Sequence, residues 1–469
     1  MLYDFYISGR MLILVDTIAA IATGQMVSAI GIIRMSGDDA ITIADRTFKA
    51  YSGTRLCDAR DRHMYYGELF DVDGNLIDIV LCMISRGPNS YTGENTAEFQ
   101  CHGSPLVLSE ALKTLFAHGA RQALQGEFTK RAFLNGRMDL VQAEAVIDLI
   151  ESETVSTAQN AAGQLRGAVG IKLETVYATL VDVMAHFHAV IDYPDEDIDE
   201  FKMQTYLSSL HHAKDELERL LATHERGKVM LKGIPTAIVG RPNTGKSSLL
   251  NALLGYDRAI VTDIPGTTRD TIEEKVMFGG VLLRLIDTAG LRQTDDVVEK
   301  LGVERTQLAL SDAGLIILVF DGSEPLRDED HQALDSIPEG IAKIAVINKS
   351  DLNAQLDADV LKQLGLDCIH ISAKTGVGLD MLDQQIKKIF PELGTPVSGE
   401  IITNARQADA IMRSTDCTMA AIDSISSSVT PDAVVTDIEA ALSAIGEITG
   451  KTMREDIISR IFERFCVGK

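Results

Sequence analysis

The chain of 469 residues contains no tryptophan, and only 5% of its residues are aromatic. Its cores must be filled mainly by Ala, Leu and Ile, which leans the expected fold toward helical or α/β layers. Positive charge is also scarce: 44 Lys and Arg against 68 Asp and Glu leave a formal net charge of −24. A molecule this acidic repels nucleic acid as a whole, so any RNA contact has to use a local basic patch or a more basic partner. The six cysteines, Cys57, Cys82, Cys101, Cys368, Cys417 and Cys466, lie far apart with no C-x-x-C pair. That spacing argues against a zinc site or a disulfide framework and for a reducing, cytoplasmic setting. No apolar run reaches the ~18 residues of a membrane span, and Met1 to Val15 carries Asp4 and Arg10, unlike a cleaved signal peptide. No membrane association is expected, and Met11 is an alternative start.

What is present is organised in blocks. The length suggests about two to four domains. From Thr17 to about Leu134, strand-like runs at Ile18 to Ala22, Ile30 to Arg34, His63 to Leu69 and Ile77 to Ile84 alternate with an amphipathic helix at Pro105 to His118. Leu140 to Ile150, Thr154 to His188 and Met203 to His224 then read as long bundled helices. The segment Asp192 to Glu200 holds six carboxylates in nine residues without regular ligand spacing, so a solvated acidic loop is expected there. Strands at Leu282 to Ile286, Gly314 to Phe320, Ile344 to Ile347 and Cys368 to Ile371 predict a mainly parallel sheet covered on both faces. The chain is again helical beyond the turn-rich stretch Pro391 to Pro396. The fold class expected is a multidomain α/β protein with an α+β domain over 1–135, a discontinuous helical bundle over 136–230 and 394–469, and a Ras-like P-loop domain inserted at 231–393.

The insert carries the strongest chemical signal. Gly240-Arg241-Pro242-Asn243-Thr244-Gly245-Lys246-Ser247 follows an apolar β-branched run and opens a helix at Ser248. In such a loop, backbone N–H groups curl round the α- and β-phosphates, Lys246 reaches the β- and γ-phosphates, and Ser247 can hold Mg²⁺. Asp287-Thr288-Ala289-Gly290 ends a strand, where its carboxylate can hold Mg²⁺ through water and its glycine N–H can meet the γ-phosphate. Asn348-Lys349-Ser350-Asp351 follows another strand, and the Asp351 carboxylate matches the N1–H and N2–H₂ donors that guanine has and adenine lacks. Ser372-Ala373-Lys374 completes a base pocket, and Gly266-Thr267-Thr268-Arg269-Asp270 lies where a mobile segment closes on the γ-phosphate. Five elements in this order predict a GTP-hydrolysing site. The position after Gly290 is Leu291, where Ras-type enzymes place a water-orienting Gln. Asp295, Asp296 and Glu299 are the candidates to activate water instead. With no obvious arginine finger, Arg269, Arg292, a partner or a monovalent cation could meet the transition-state charge.

At this point the chain resembles the tRNA-modifying GTPase family known as MnmE or TrmE. The likeness rests on Gly31 to Arg34, Pro88 to Glu94, Gly126 to Arg137 and the C-terminal Phe465-Cys466-Val467-Gly468-Lys469, and it spans Asp16 to Lys469. The resemblance implies an N-terminal domain that binds 5,10-methylene- or 5-formyl-tetrahydrofolate and forms a homodimer. It also implies an FAD- and NADH-using partner (MnmG, also called GidA) in a heterotetramer or larger complex, and a carboxymethylaminomethyl-type group added to C5 of the wobble uridine of tRNA. By position it assigns K⁺ to Asn243, Thr262, Ile264 and Thr267, and Mg²⁺ to Ser247 and Thr268. It makes Glu299 the water-activating acid and adds Ser248, Asp263 and Pro265 to the nucleotide contacts. Arg34, Glu98, Arg137 and Lys469 fall on folate positions, Arg137 where the family usually has Lys, and Cys466 is a candidate nucleophile toward the uridine ring. The stretch Thr23 to Ile30 departs from the family's Pro- and Gly-rich loop. The alternative is a ribosome-assembly or RNA-binding regulatory GTPase, which usually appends an RNA-binding module; no G-x-x-G loop of the K-homology type is visible.

Overall fold

The computed structural model describes residues 16–24, 26–192, 200–256, 274–286, 312–393, 399–427 and 429–468. The chain divides into two compact units, Met1–Ile147 with Gly446–Lys469, and Asp148–Ile445.

The first unit is built on a seven-stranded sheet of β1 (Ile18–Ile21), β2 (Ser28–Ser36), β3 (Phe48–Ala50), β4 (Met64–Phe70), β5 (Leu76–Ser85), β6 (Thr96–Gly103) and β7 (Arg121–Gln122). The order is β3-β4-β5-β6-β2-β1-β7, with antiparallel pairing except for parallel β1 and β7. Inward residues alternate along the strands, and Ile33, Met35, Val80, Cys82 and Phe99 are buried with Leu108 and Leu115 of the helix Pro105–Ala117. Gly31 faces Leu108 so closely that a Cβ there would collide with the leucine side chain, which explains a glycine in mid-strand. Strand β6 has no counterpart among the expected strands, because its buried face offers only Ala97 and Cys101 beside Phe99, while Glu98 and Gln100 flank that ring in the sequence.

The chain's last residues belong to this unit. Ile458, Phe462 and Phe465 pack with Leu140 and Ala143, and Val467 forms a bridge to Gln125. Gly126 sits at φ 62°, in the left-handed region, with the Phe462 carbonyl and the Phe465 ring where a side chain would go.

The second unit holds the helices Val155–Leu165, Ala168–Asp192, Glu200–Ala222, His224–Lys232 and Ala405–Ser426, and Pro431–Thr449 up to Ile445. The single helix expected over Thr154 to His188 is two helices, broken at Gly167, which adopts φ 89°. Glu200–Ala222 packs along both Ala168–Asp192 and Ala405–Ser426. From Lys232 the chain turns through Gly233 at φ 77° into a six-stranded sheet of β8 (Ile234–Val239), β9 (Glu274–Phe278), β10 (Val281–Leu285), β11 (Leu315–Asp321), β12 (Ala342–Asn348) and β13 (Cys368–His370). The order is β13-β12-β11-β8-β10-β9, and only β9 runs antiparallel to its neighbour. Strands β8, β11 and β12 are buried on both faces, between two separate apolar clusters. That two-sided burial is why they read as continuous apolar runs. Among the described residues, no helix is long and apolar enough to cross a membrane.

Candidate functional site

The C-terminal ends of β8, β11 and β12 converge on the loop between β8 and the helix Lys246–Tyr256. Asn243 takes φ 65° and Gly245 φ 95°, both left-handed, and a Cβ on Gly245 would strike the Asn348 side-chain nitrogen. Gly240 likewise leaves no room for a Cβ against the Val319 carbonyl of β11. These two glycines are fixed by close approach, the condition a backbone cradle for phosphates requires. Lys246 Nζ donates to the carbonyls of Gly240 (2.7 Å) and Arg241 (2.8 Å). Burial, helped by the charge of Arg241, holds its ammonium below the usual lysine range. A desolvated cation at a helix N-terminus gains more from a phosphate than an exposed one would. Ser247 occupies the first turn of the same helix, where its hydroxyl could hold a divalent cation, and Asn243 is exposed at the loop's tip.

Asn348, buried at the end of β12, ties three segments together. Its Nδ2 donates to the Thr244 carbonyl (2.9 Å), and its Oδ1 accepts from the Ala373 N–H (3.0 Å). Ser372 Oγ donates to Asp351 Oδ1 at 2.7 Å, and that hydrogen bond holds the Asp351 carboxyl below the usual carboxylate range. The result is an ionised acceptor beside the P-loop, the chemistry a guanine edge would need. Three ion pairs at this end were not anticipated from the sequence. Lys349, itself at φ 64°, places Nζ 2.5 Å from Asp321 Oδ2. Arg241, buried, pairs with Glu324 (2.6 Å) and Asp330 (3.3 Å). Of the three acidic partners only Asp321 stands at a strand end, whereas Glu324 and Asp330 lie beyond it.

Several assigned residues lie outside the described residues: Thr262, Asp263, Ile264, Pro265, Gly266, Thr267, Thr268, Asp287, Thr288, Ala289, Gly290, Glu299 and Lys469. The acidic stretch at 193–199 lies outside them too. Among the described residues, no group of three or more His, Cys, Asp or Glu side chains could hold a metal ion.

In the first unit, Arg34 and Glu98 are direct cross-strand neighbours on β2 and β6, paired with each other at 2.6 Å. The Arg34 guanidinium lies 5.7 Å from the Tyr91 ring centre and 5.8 Å from that of Phe128. Tyr91 is partly exposed and its hydroxyl lies 3.0 Å from Thr129 Oγ1. An opposite-charge pair beside an exposed ring can face a polar heteroaromatic ligand. Arg137 lies near Gly93, whose added Cβ would sit 3.4 Å from Arg137 Cγ. Cys466 is exposed, and its carbonyl accepts from the Gly126 N–H at 3.3 Å. Cys82 and Cys101 are buried, and burial pushes the Cys101 thiol up to about 12. His102 is exposed, with Nδ1 2.7 Å from Asp78 Oδ1.

Two family models match this sequence: "MnmE helical domain" over residues 140–466 and "GTP-binding protein TrmE N-terminus" over 17–137. A tRNA modification GTPase MnmE from Thermoanaerobacter pseudethanolicus is 42% identical over 458 residues, covering 97% of this chain and 99% of that relative. Proteins of the same name from Symbiobacterium thermophilum and Clostridioides difficile are 42% and 40% identical, each over 97% of this chain and 99% of the relative. A solved G domain of the FeoB iron transporter from T. maritima is 29% identical, with a TM-score of 0.25, covering 34% of this chain and 98% of that one.

Proposed function

The chain belongs to the MnmE family of tRNA modification GTPases, and from that premise we propose that it hydrolyses GTP to gate modification of the tRNA wobble uridine at C5. The observation that carries the GTP half is the bracing of P-loop and base loop by one buried side chain, Asn348, beside the ionised Asp351. A site of that build rewards guanine, because adenine would cover the carboxylate without offering it donors.

In this reading residues 1–135 form the folate-binding and dimerising domain, 136–230 and 394–469 the helical domain, and 231–393 the inserted GTPase domain. Lys246 and the loop amides hold the phosphates, Ser247 and Thr268 hold Mg²⁺, and Asn243, Thr262, Ile264 and Thr267 hold K⁺. Glu299 orients and polarises the attacking water, the task that Leu291 cannot perform. Arg34, Glu98, Arg137 and Lys469 bind the folate, and Cys466 serves as nucleophile toward the uridine ring. When bound, the cations supply positive charge to the phosphates, folate supplies a one-carbon unit, and the partner's FAD with NADH supplies redox chemistry. The protein acts as a cytoplasmic homodimer, and the flavoprotein partner brings the tRNA-attracting surface that a chain of charge −24 lacks.

Mass spectrometry of nucleosides from a strain lacking this protein tests the reading. The aminomethyl-type wobble uridine is expected to disappear and to return on complementation. Unchanged wobble uridines in that strain would remove the proposed role.

A further inference from the structure

The segment at the end of β11, Asp321-Gly322-Ser323-Glu324, carries no assigned role, yet it touches the nucleotide site from two sides. Asp321 is buried at the strand end, and its two carboxylate oxygens do different work. Oδ1 accepts from the Ser323 N–H (3.0 Å) and Oγ (2.6 Å), which fixes the carboxylate plane. Oδ2 faces Lys349 Nζ at 2.5 Å. Burial works against its charge, but the hydrogen bonds from Lys349 and Ser323 outweigh that and hold the carboxyl below its usual range. The base loop is also pinned by backbone: Gly322 N donates to the Asn348 carbonyl (2.8 Å), and Ser350 N to the Ile371 carbonyl (3.0 Å).

Lys349 needs such restraint. It is a non-glycine residue in the left-handed region, a conformation that persists only where the surroundings over-determine it. Its positive charge also acts on Asp351, as does that of Lys374. An ammonium on a flexible stem, two positions before the carboxylate meant for guanine, is a competitor for that carboxylate. Asp321 gives it a different partner.

We propose that Asp321 is a positioning residue for guanine recognition: by holding the Lys349 ammonium it keeps Asp351 open to the base. This rests on the guanine-nucleotide reading above and adds a residue to it. Because the effect is on binding shared by ground and transition states, it belongs in affinity and not in the turnover of bound GTP.

The test uses the full-length protein and GDP, IDP and ADP as probes. IDP lacks the 2-amino group, so the GDP-to-IDP ratio of dissociation constants reports how fully Asp351 engages the base. Asp321→Asn keeps the shape and the contacts to Ser323 but loses the charge. It is expected to weaken GDP binding on the order of tenfold, to narrow the GDP-to-IDP ratio, and to leave kcat at saturating GTP unchanged. In a Lys349→Met background the same substitution should add nothing, since no ammonium remains to be held. Equal weakening of GDP and IDP, additive losses in the double variant, or unchanged GDP affinity would each overturn the proposal. If Asp321→Asn does not fold, Asp321→Ser decides. A neutral hydroxyl cannot hold the ammonium by charge, so GDP binding should again weaken on the order of tenfold at constant kcat, and full retention of affinity would overturn the idea. A wild-type protein that binds ADP as tightly as GDP would instead overturn the guanine reading itself, and this inference with it.

Discussion

Arg131 has no exposed surface, yet it is charged and faces three carboxylates. Its Nη2 lies 2.8 Å from Asp16 Oδ1 and 3.0 Å from Glu127 Oε1, while Nη1 reaches Glu94 at 3.1 Å and the Asp16 carbonyl at 2.9 Å. Arg121 supports the same group, pairing with Glu127 at 2.5 Å and with Asp16. The signature segments Pro88 to Glu94 and Gly126 to Arg137 thus meet through Glu94, Glu127 and Arg131, with Asn135 Nδ2 also donating to the Thr92 carbonyl (2.8 Å). Arg131→Met would leave those carboxylates without their shared cation, and a loss of roughly 3–5 kcal/mol in urea unfolding of this unit is expected. A loss below about 1 kcal/mol would show that Arg121 alone compensates. The pH dependence follows from the same group. The hydrogen bonds from the two arginines outweigh burial and depress the folded pKa of Asp16 and Glu127. Their stabilisation is therefore present above the unfolded values of about 3.9 and 4.3 and lost as pH falls through the lower folded ones. Acid unfolding of wild type should steepen below about pH 4, and Arg131→Met should flatten that limb.

At the scale of elements, the segment Gly399–Thr403, where the chain returns from the GTPase sheet to the helices, is held by side chains and not by a strand ladder. The Ile401 carbonyl accepts from Asn160 Nδ2 (3.0 Å) and Gln164 Nε2 (2.6 Å), and the Ile401 N–H donates to Asn160 Oδ1 (3.2 Å). Ile402 N donates to Thr223 Oγ1 (2.9 Å), and Thr403 Oγ1 to Asp148 (3.0 Å). Asn160→Ala strands the buried Ile401 N–H and should cost about 1–3 kcal/mol, whereas Gln164→Ala leaves the carbonyl one donor and should cost about 0.5–1.5. Reversal of that order in denaturant unfolding would contradict the assignment. None of this was legible in the sequence, where Asn160 and Gln164 look like ordinary helix surface. The reason is general: spacing encodes what a segment does with its own backbone, as in the P-loop, β8 and Asn348 to Asp351. A partner 241 residues away leaves no local trace. The same limit hid Arg131, whose charge reads as solvent-facing, and Asp321, whose partner Lys349 sits just past the end of β12. Strand β6 and the break at Gly167 were missed for a local reason, since weak apolar alternation and one glycine inside a helical pattern decide little.

For the whole molecule, the first unit is completed by the last residues of the chain. Gly446–Lys469 belongs with Met1–Ile147, while everything between forms the second unit. The apolar seal is Ile458, Phe462 and Phe465 against Leu140 and Ala143. Gly468, at φ 96°, lies so close to the Ile21 carbonyl that a Cβ could not be inserted. The position of Cys466 on this unit therefore depends on packing supplied by Phe462 and Phe465. Phe462→Ala should cost roughly 3–5 kcal/mol, the range for deleting a buried aromatic ring. Because Phe462 packs within the first unit, amide exchange should rise at residues 16–24 and 121–137, and GDP affinity should stay at its wild-type value. A fall in GDP affinity in step with the loss of protection would mean that the two units unfold as one, and that the C-terminal seal governs the nucleotide site as well as the sheet it closes.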